Sequence, residues 1–366
     1  MRKDCKLKDI CICRASNISL KDIMDINGIY PLYGASGFIK TIDSYHMDIP
    51  YIGIVKDGSG IGRINKYPAY SSVLSTMQYV VPKDNCIIDY LYFLLIKLNL
   101  SDFARGAAIP HIYFADYSNI KIKLHTLGKQ IQIVEELNCL TSIIEKQKKQ
   151  LEELDNLAQA IFYDMFGEPM ENEKGWNIKK MEDIVHKNCT LSYGIVQPME
   201  DVVDGVPIVR PIDLIDTFVS DASLKRTRKE ISNKYKRTIL TGHEILLCVR
   251  GTTGIVSLVN ESFAGYNVTR GIVPILLSSL YNRWFVYYQI KTSSIQQKIS
   301  ELTNGIALRQ INIKDLRALP LITPPLPLQQ QFASKIEAIE KQKELIKKSI
   351  KETEDLFNSR MDYYFN

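Results

Sequence analysis

The sequence lacks the features that mark a secreted, membrane-spanning or metal-binding chain. Its seven cysteines are an odd number without framework spacing, and Cys11-Ile12-Cys13 is too tight for a standard zinc knuckle. No apolar core follows Met1-Arg2-Lys3-Asp4-Cys5, so we expect no secretory signal. The apolar run over residues 90–96 is far too short to span a bilayer. These absences predict a reduced, cytoplasmic protein that does not enter a membrane.

The parts of enzymes that act on DNA are also missing. Thr323-Pro324-Pro325-Leu326 lacks both the asparagine and the aromatic residue of the Asn-Pro-Pro-aromatic loop of adenine methyltransferases. Residues 34–41 come near a phosphate-binding Walker loop, but Ile39 occupies the glycine position before the lysine. The five histidines are scattered without metal-ligand spacing. The sequence therefore predicts a chain that is not an enzyme and has no cofactor or metal of its own.

Length and charge set only broad limits. A chain of 366 residues usually forms two or three domains. Its 46 basic and 41 acidic residues give a net charge of +5, which is mildly basic. This balance allows a nucleic-acid partner without requiring one.

One long amphipathic helix is present twice. The first copy covers residues 133–165 as a heptad seam with Gln147 as a polar layer, and the second begins at Phe332 with polar layers at Lys343 and Thr353. Both contain the pentapeptide Ile-Glu-Lys-Gln-Lys, at residues 144–148 and 339–343. The apolar seam positions expected to pack between the helices are Leu137, Leu140, Ile144, Leu151, Leu154, Ile336, Ile339, Ile346, Ile350 and Phe357.

The two copies align with two slightly different offsets. The pentapeptides are 195 residues apart, whereas the helix starts, Gln130-Ile131-Gln132 and Gln329-Gln330-Gln331, are 199 residues apart. The difference is close to one helical turn, so it keeps the apolar face nearly aligned. A repeat of this length predicts two similar halves, each a globular module followed by a helix.

The sequence before each helix predicts a mixed α/β module. In the first, residues 51–55 and 78–81 are strand-like and residues 89–98 predict a helix. In the second, strands are predicted at 244–249 and 255–259 and a helix at 282–299. Two glycine-containing segments of the first module, 54–61 and 106–112, have counterparts at 248–255 and 305–311. The predicted fold class is α+β, with two similar modules joined by two long helices.

The order module, helix, module, helix resembles the specificity (S) subunit of type I restriction-modification systems. The resemblance covers essentially the whole chain. It is carried by Pro324-Pro325-Leu326-Pro327-Leu328-Gln329 at the entry to the second helix, by Asp355-Leu356-Phe357-Asn358-Ser359-Arg360 near its end, and by residues 194–213. The first helix departs from the pattern, because Leu127-Gly128-Lys129-Gln130 has no double proline.

The resemblance implies two target recognition domains, at residues 1–126 and 168–323, which read the two parts of a split double-stranded DNA target. It implies that the helices, at 127–167 and 324–366, form an antiparallel coiled-coil spacer on which methyltransferase subunits dock. S-adenosylmethionine, ATP and Mg²⁺ are then expected on the modification and restriction/translocase subunits. A helix over residues 130–166 would be about 55 Å long, which exceeds one turn of B-DNA, roughly 34 Å.

The second module contains the densest candidate DNA contact. Residues 225–237 include seven basic side chains and the single acid Glu230. Cations neutralise phosphates, although a charge run is more often a solvated face. The candidates in this segment are Arg226, Arg228, Lys229, Lys234 and Arg237.

Other candidates lie at glycine turns and strand ends, where a backbone or an arginine can approach DNA. An ordinary hairpin or an alternating strand remains the competing interpretation for each. They are Tyr193, Arg250, Thr252, Thr253, Asn267 and Arg270 in the second module and Lys56, Ser59, Arg63, Lys66 and Tyr67 in the first.

Two other functions stay open at this point. One is a coiled-coil scaffold that binds only proteins, and the other is a detached specificity module of a fused restriction enzyme. The helices alone do not separate a scaffold from a DNA-reading subunit, whereas the basic loops favour the DNA-reading subunit. A detached module is distinguished by whether neighbouring genes encode separate modification and restriction subunits.

Overall fold

Each half of the protein is built from two stretches of chain that are distant in sequence. The computed structural model describes residues 2–58, 60–106, 110–305 and 309–366. The first compact unit combines Met1–Lys149 with Lys347–Asn366, and the second is Gln150–Ile346. Each unit therefore contains part of both long helices. Whether residues 1–126 and 168–323 act as recognition domains stays a prediction.

The first unit contains a four-stranded sheet in the order β2-β8-β5-β6, a three-stranded sheet in the order β4-β3-β7, and a separate β1-β9 pair. Leu91 and Leu94 of the first helix, α1, pack with Ile52 and Ile54 of the strand β5 in one core. The strands and short helices are β1 (Lys3–Lys6), β2 (Cys11–Ala15), β3 (Tyr30–Gly34), β4 (Gly37–Ile42), β5 (Tyr51–Val55), β6 (Ile64–Tyr67), β7 (Ser72–Val73), β8 (Met77–Pro82), α1 (Ile88–Lys97), α2 (Phe114–Tyr117) and β9 (Lys121–Leu124).

The second unit contains sheets in the orders β14-β13-β16 and β12-β11-β15, with β10-β19 and β17-β18 pairs. Its core places Phe285 and Tyr288 of the helix α6 with Ile245 and Leu247 of β13. The elements are β10 (Ile178–Lys180), α4 (Met181–Ile184), β11 (Val206–Val209), β12 (Lys225–Thr227), α5 (Lys229–Lys234), β13 (Ile245–Cys248), β14 (Val256–Leu258), β15 (Asn267–Val268), β16 (Ile272–Ile275), α6 (Arg283–Lys291), α7 (Ser293–Glu301), β17 (Thr303–Asn304), β18 (Gln310–Ile311), α8 (Ile313–Arg317) and β19 (Pro320–Ile322).

The same strand pairing is present in both units. In the first, β3 is antiparallel to β4 and parallel to β7; in the second, β11 is antiparallel to β12 and parallel to β15. The central strand β5 lies between β6 and β8, as β13 lies between β14 and β16. The repeat seen in the sequence is therefore a repeat of topology, and the predicted α+β fold is confirmed.

The two long helices, α3 (Leu127–Phe166) and α9 (Leu326–Phe365), are each 40 residues long. Within the first unit, Glu136 contacts Arg360 and Gln147 contacts Ser349. Within the second unit, Asp155 contacts Lys343, and Phe162 lies against Phe332. Residue numbers rise along one helix as they fall along the other in both units, so the predicted antiparallel coiled coil is confirmed.

The seam is apolar with polar interruptions. Gln147 Nε2 donates to Ser349 Oγ at 2.7 Å, whereas the Thr353 hydroxyl bonds to the backbone of its own helix. Lys343 is buried and bonds to Asp155 at 2.7 Å and Glu340 at 2.8 Å. Burial disfavours its charged ammonium, but these two carboxylates outweigh burial and raise its pKa. Of the predicted seam positions, Leu137, Leu140, Ile336, Ile339 and Ile350 are buried, and Ile144, Leu151, Leu154, Ile346 and Phe357 are half-buried.

One predicted helix is two helices. The sequence predicts a continuous helix over residues 282–299, but α6 ends at Lys291 and α7 begins at Ser293. Thr292 between them has extended backbone angles, and its hydroxyl donates to the Gln289 carbonyl at 2.8 Å. Such local bonding by a short polar side chain competes with the helical hydrogen bonds, which is the physical reason for the break.

A buried glutamine near the start of each long helix ties that helix to the module before it. Gln130 Oε1 accepts from the Ile87 amide at 3.0 Å, and its Nε2 donates to the Asn85 and His125 carbonyls, both at 2.9 Å. Gln329 Oε1 accepts from the Asn282 amide at 2.9 Å, and its Nε2 donates to the Pro324 carbonyl at 2.7 Å. Ile87 and Asn282 are the residues that precede α1 and α6. The two glutamines therefore fix each helix to the equivalent point of its own unit.

Candidate nucleic-acid interface

The segment of residues 225–237, here called the basic segment, forms an exposed cationic surface of the second unit. It consists of β12, α5 and a short turn at Lys236–Thr238. None of its cations forms an ion pair with any residue that the structure describes. The seven exposed cations are Lys225, Arg226, Arg228, Lys229, Lys234, Lys236 and Arg237. An unneutralised cluster of this density creates a positive surface potential that attracts a polyanion.

Buried polar residues hold the basic segment to the sheet. Thr238 Oγ1 donates to Asn267 Oδ1 at 2.7 Å, and Asn267 Nδ2 donates to Ser232 Oγ at 3.0 Å. The Thr227 hydroxyl donates to the Pro198 carbonyl at 2.7 Å. Asn267 was predicted to read a base, but its side chain is buried and fully engaged, so this structure does not present it to a ligand. Its contacts instead join α5 to β15.

The glycine turn after β13 places two of its predicted residues at the surface. Thr252 is exposed and Arg250 is half-buried, with no side-chain hydrogen bond or ion pair to a described residue. Thr253 is engaged with Thr303, at 3.0 Å between the two hydroxyl oxygens. Gly251 has a φ of 83° with open space around it, so the turn leaves room for an approaching backbone.

Tyr193 bonds to the protein through its side chain, whereas Arg270 does so through its backbone. The Tyr193 hydroxyl donates to the Ile311 carbonyl at 2.6 Å and lies 3.2 Å from Gln310 Nε2, so this side chain supports the fold around β18. Arg270 is half-buried, and its backbone amide donates to the Ile195 carbonyl. Arg270 thus lies just after β15, the strand to which α5 of the basic segment is hydrogen-bonded through Asn267.

In the first unit, three predicted residues converge on one groove. Arg63, Lys66 and Tyr67 line a groove of about 460 Å³ together with the β3–β4 turn at residues 35–37, and we call it the β3–β4 groove. Arg63 Nη1 donates to the Ala35 carbonyl at 2.7 Å. Lys66 forms an ion pair with Asp89 at 2.5 Å. Arg63 precedes β6 of the four-stranded sheet and Ala35 follows β3 of the three-stranded sheet, so the two residues meet between different sheets.

Tyr67 forms part of the floor of this groove. The ring lies against the main chain of β5, where a Cβ at Gly53 would collide with it. Burial raises the pKa of the Tyr67 hydroxyl. The glycine at position 53 thus makes the space that the tyrosine fills.

The remaining candidates of the first module lie outside the groove or outside the described residues. Lys56 is half-buried and 3.9 Å from Asp57, whose other oxygen lies 2.5 Å from His111 Nδ1. Ser59 falls outside the residues that the structure describes, as do parts of the two corresponding segments 106–112 and 305–311. These positions stay predictions.

One pair of candidate cations lies at equivalent places in the shared topology. Lys56 follows the central strand β5, and Arg250 follows the central strand β13. The groove and the basic segment are not equivalent in this sense. Arg63 and Lys66 lie just before and within β6, whose counterpart is β14, whereas the basic segment begins in β12, the counterpart of β4.

Sequence reasoning missed the role of several residues. Gln130 and Gln329 were aligned as helix starts, yet their buried bonds to α1 and α6 were not predicted. Their alignment was the available sequence signal, because polar residues at matching positions of two amphipathic helices require hydrogen-bond partners when they are buried. Tyr33 and Phe38, which complete the groove, gave no sequence signal beyond their position next to a glycine turn.

The described part of the chain shows neither a metal-binding cluster nor a membrane-spanning helix. No group of three or more His, Cys, Asp or Glu residues is arranged to hold a metal ion within the described ranges. No helix of those ranges combines the length and the apolar character needed to cross a membrane.

Comparison with known proteins gives the family. The model of the type I restriction modification DNA specificity domain matches residues 3–155 and 173–355. This chain belongs to that family. The two matches agree with the two halves of the repeat, and the predicted family is confirmed.

The relatives are distant. The EcoBI specificity subunit of Escherichia coli is 23% identical over 272 residues, which is 68% of this chain and 56% of the relative. The MjaIX specificity subunit of Methanocaldococcus jannaschii is 24% identical over 291 residues, which is 71% of this chain and 64% of the relative. This chain therefore spans less than two thirds of the length of either. Both are named specificity subunits of restriction enzymes, which supports the prediction of a non-catalytic chain.

The fold is also known from a solved structure. The crystal structure of a type I restriction-modification S subunit from M. genitalium matches 100% of this chain and 96% of that chain, with a TM-score of 0.57 and 12% sequence identity. At this identity the likeness concerns the fold alone. The duplicated modules and long helices are thus shared architecture.

Proposed function

We propose that this chain is the DNA-specificity subunit of a type I restriction-modification complex and that its two units read the two parts of a bipartite target. The observation that carries this proposal is the repeat of one α/β plan, with a candidate cation after the central strand of each copy, Lys56 after β5 and Arg250 after β13. A single chain that presents two similar readers suits a DNA duplex, whose backbone has a two-fold axis.

The helix pair serves as the spacer between the two readers. Both α3 and α9 contribute residues to both units, so each helix continues from one reader to the other. A helix of 40 residues is about 60 Å long, against roughly 34 Å for one turn of B-DNA. The polar layers at Gln147 and Lys343 fix the register of the pair, and register sets the spacing.

The basic segment binds phosphates in this proposal. Its seven cations form no ion pair with the described residues, and neutralising phosphates releases counterions from DNA. Affinity carried by such contacts falls steeply with salt and does not depend on sequence.

The test of this function is DNA binding by the complex reconstituted with its methyltransferase subunits. The wild-type complex should select one bipartite motif from a pool of random duplexes. The variant Arg228→Ala/Lys234→Ala/Arg237→Ala should keep that motif but bind more weakly, with a slope of log affinity against log salt that is shallower by up to about three. Fluorescence anisotropy over a salt series measures the slope.

A matched control separates phosphate contacts from net charge. Lys187→Ala/Lys314→Ala/Lys335→Ala removes the same charge from exposed positions elsewhere in the second unit. Equal salt slopes for the two triple variants would contradict the role of the basic segment. A wild-type complex that selects no motif would contradict the proposed function and favour a protein-only scaffold.

The helix pair of the second unit offers a docking surface for the methyltransferase subunit. Leu157 is 48% exposed and Leu345 is 63% exposed, and both line one groove with Leu154 and Ile346. Two exposed leucines in one groove are a typical anchor site for a partner helix.

Leu345→Asp is expected to weaken methyltransferase binding by at least tenfold, because a carboxylate would be buried without a partner in the interface. Leu280→Asp is the control, since Leu280 is 64% exposed but lies outside the helices. Affinity is measured by calorimetry with the purified methyltransferase subunit. Equal affinities for both variants would place docking elsewhere.

In this assignment S-adenosylmethionine belongs to the modification subunit, and ATP and Mg²⁺ belong to the restriction/translocase subunit. The complex then acts in the cytoplasm, where the chromosome and incoming DNA are both accessible. A detached half of a fused restriction enzyme would differ in lacking separate genes for these subunits nearby.

A further inference from the structure

The β3–β4 groove differs in charge from the basic segment of the second unit. Lys66 is already neutralised by Asp89 at 2.5 Å, so Arg63 supplies the uncompensated charge of this groove. Binding to the phosphate backbone relies on many free cations, whereas reading a base relies on one well-placed donor group. The charge of this groove therefore favours a base over phosphates.

Arg63 is held in place while most of its donors stay free. One guanidinium N–H is used by the Ala35 carbonyl at 2.7 Å, which fixes the side chain across the β3–β4 turn. A guanidinium has five N–H donors, so about four remain. An arginine that is oriented in advance loses less entropy when it forms a two-pronged contact.

Aromatic rings form the floor of the groove. The Tyr33 ring lies 4.5 Å from the Tyr67 ring and 6.1 Å from the Phe38 ring, measured between centroids. Phe38 is 63% exposed. Such a floor offers apolar contact for the flat surface of a base.

We propose that the β3–β4 groove reads one guanine in the half-site of the first unit, with Arg63 donating to the O6 and N7 atoms of the guanine. This inference rests on the proposed function and names the chemistry of one of its two readers. Guanine is the base whose major-groove edge presents two acceptors to an arginine fork.

The test is the base preference of the complex at each position of its target, measured by binding to duplexes randomised one position at a time. Arg63→Ala should reduce the preference for guanine by roughly 10- to 100-fold at one position of one half-site. The other half-site should keep its preferences. Arg14→Ala, which removes an exposed arginine of the same unit, should change neither.

Arg63→Lys distinguishes base reading from a phosphate contact. Lysine keeps the charge but not the planar fork, so a base-reading role predicts a partial loss confined to the same position. Full recovery of affinity by lysine, or a uniform loss for all sequences in Arg63→Ala, would overturn the inference. Thermal unfolding of both variants checks that the unit remains folded, and Phe38→Ala provides a second disruption of the groove that leaves Arg63 in place.

Two results distinguish the role of the β3–β4 groove from the proposed function of the whole chain. A wild-type complex without any sequence preference contradicts the function itself. A wild-type complex with a defined bipartite motif, whose guanine preference survives Arg63→Ala and Phe38→Ala, contradicts only the role of the groove.

Discussion

Inserting one heptad into each long helix, between residues 149 and 150 and between residues 346 and 347, should lengthen the gap between the two recognised half-sites. Seven residues extend a helix by about 10 Å and keep the apolar seam in phase. At about 3.4 Å per base pair, the gap should grow by about three base pairs at most. The insertion points are the boundaries of the two compact units, so every contact within each unit is kept.

Methylome sequencing of cells that carry the double insertion measures the gap directly. Insertion into α3 alone is the first control, because an unmatched helix disrupts pairing, so methylation should fall without a shift to a new gap. A heptad inserted in the exposed loop at residues 220–223 is the second control and should leave the gap unchanged. An unchanged gap in the double insertion, with methylation intact, would mean that the helices do not set the spacing.

Local patterns predicted the helices and central strands well. The heptad seam and the repeated pentapeptide depend on residues within two turns of each other, so periodicity alone indicates α3 and α9. The strand predicted at 51–55 and the helix at 89–98 lie within a residue of β5 and α1. These elements have apolar faces that are complete within a short window of sequence.

The candidate site was less predictable, because it depends on contacts between distant segments. Arg63 lies against Ala35 only because of how the sheets bring β6 next to the β3–β4 turn. Asn267 has the right chemistry for reading adenine, yet Thr238 and Ser232 surround it in the fold. Residue type limits what a side chain can bind, while tertiary packing decides whether it is exposed.

The helix-start glutamines Gln130 and Gln329 were visible as a local pattern, but their contacts come from distant segments. Their alignment 199 residues apart is visible in the sequence, but the backbone groups that they satisfy belong to other segments. Asn85, Ile87 and His125 all contribute main-chain atoms to Gln130. Buried main-chain groups of this kind are almost always paired, so the glutamine replaces a hydrogen-bond partner that no helix or sheet provides.

Gln130→Leu should destabilise the first unit by about 2 kcal/mol, because it leaves the part-buried Ile87 amide and the Asn85 and His125 carbonyls without this partner, at roughly 1–3 kcal/mol for a fully buried group. Gln132→Leu is the matched control, since Gln132 is exposed on the same helix and should cost within about 0.5 kcal/mol. Urea unfolding of the full chain measures the stability, and hydrogen exchange at the Ile87 amide reports the broken bond. Equal stabilities of the two variants would contradict the structural role of Gln130.

Gln130→Glu makes the same bond network dependent on pH. An ionised carboxylate still accepts from the Ile87 amide, but it repels the Asn85 and His125 carbonyls, which require a donor. Burial and these carbonyls should raise the folded-state pKa of the glutamate above its unfolded value of about 4.3. A raised pKa contributes stability that is present below the unfolded pKa and is lost as pH rises through the folded pKa. The variant should therefore recover part of the wild-type stability near pH 4, where the protonated acid donates one hydrogen bond in place of two, and lose it toward neutral pH, whereas Gln130→Leu should show no such trend.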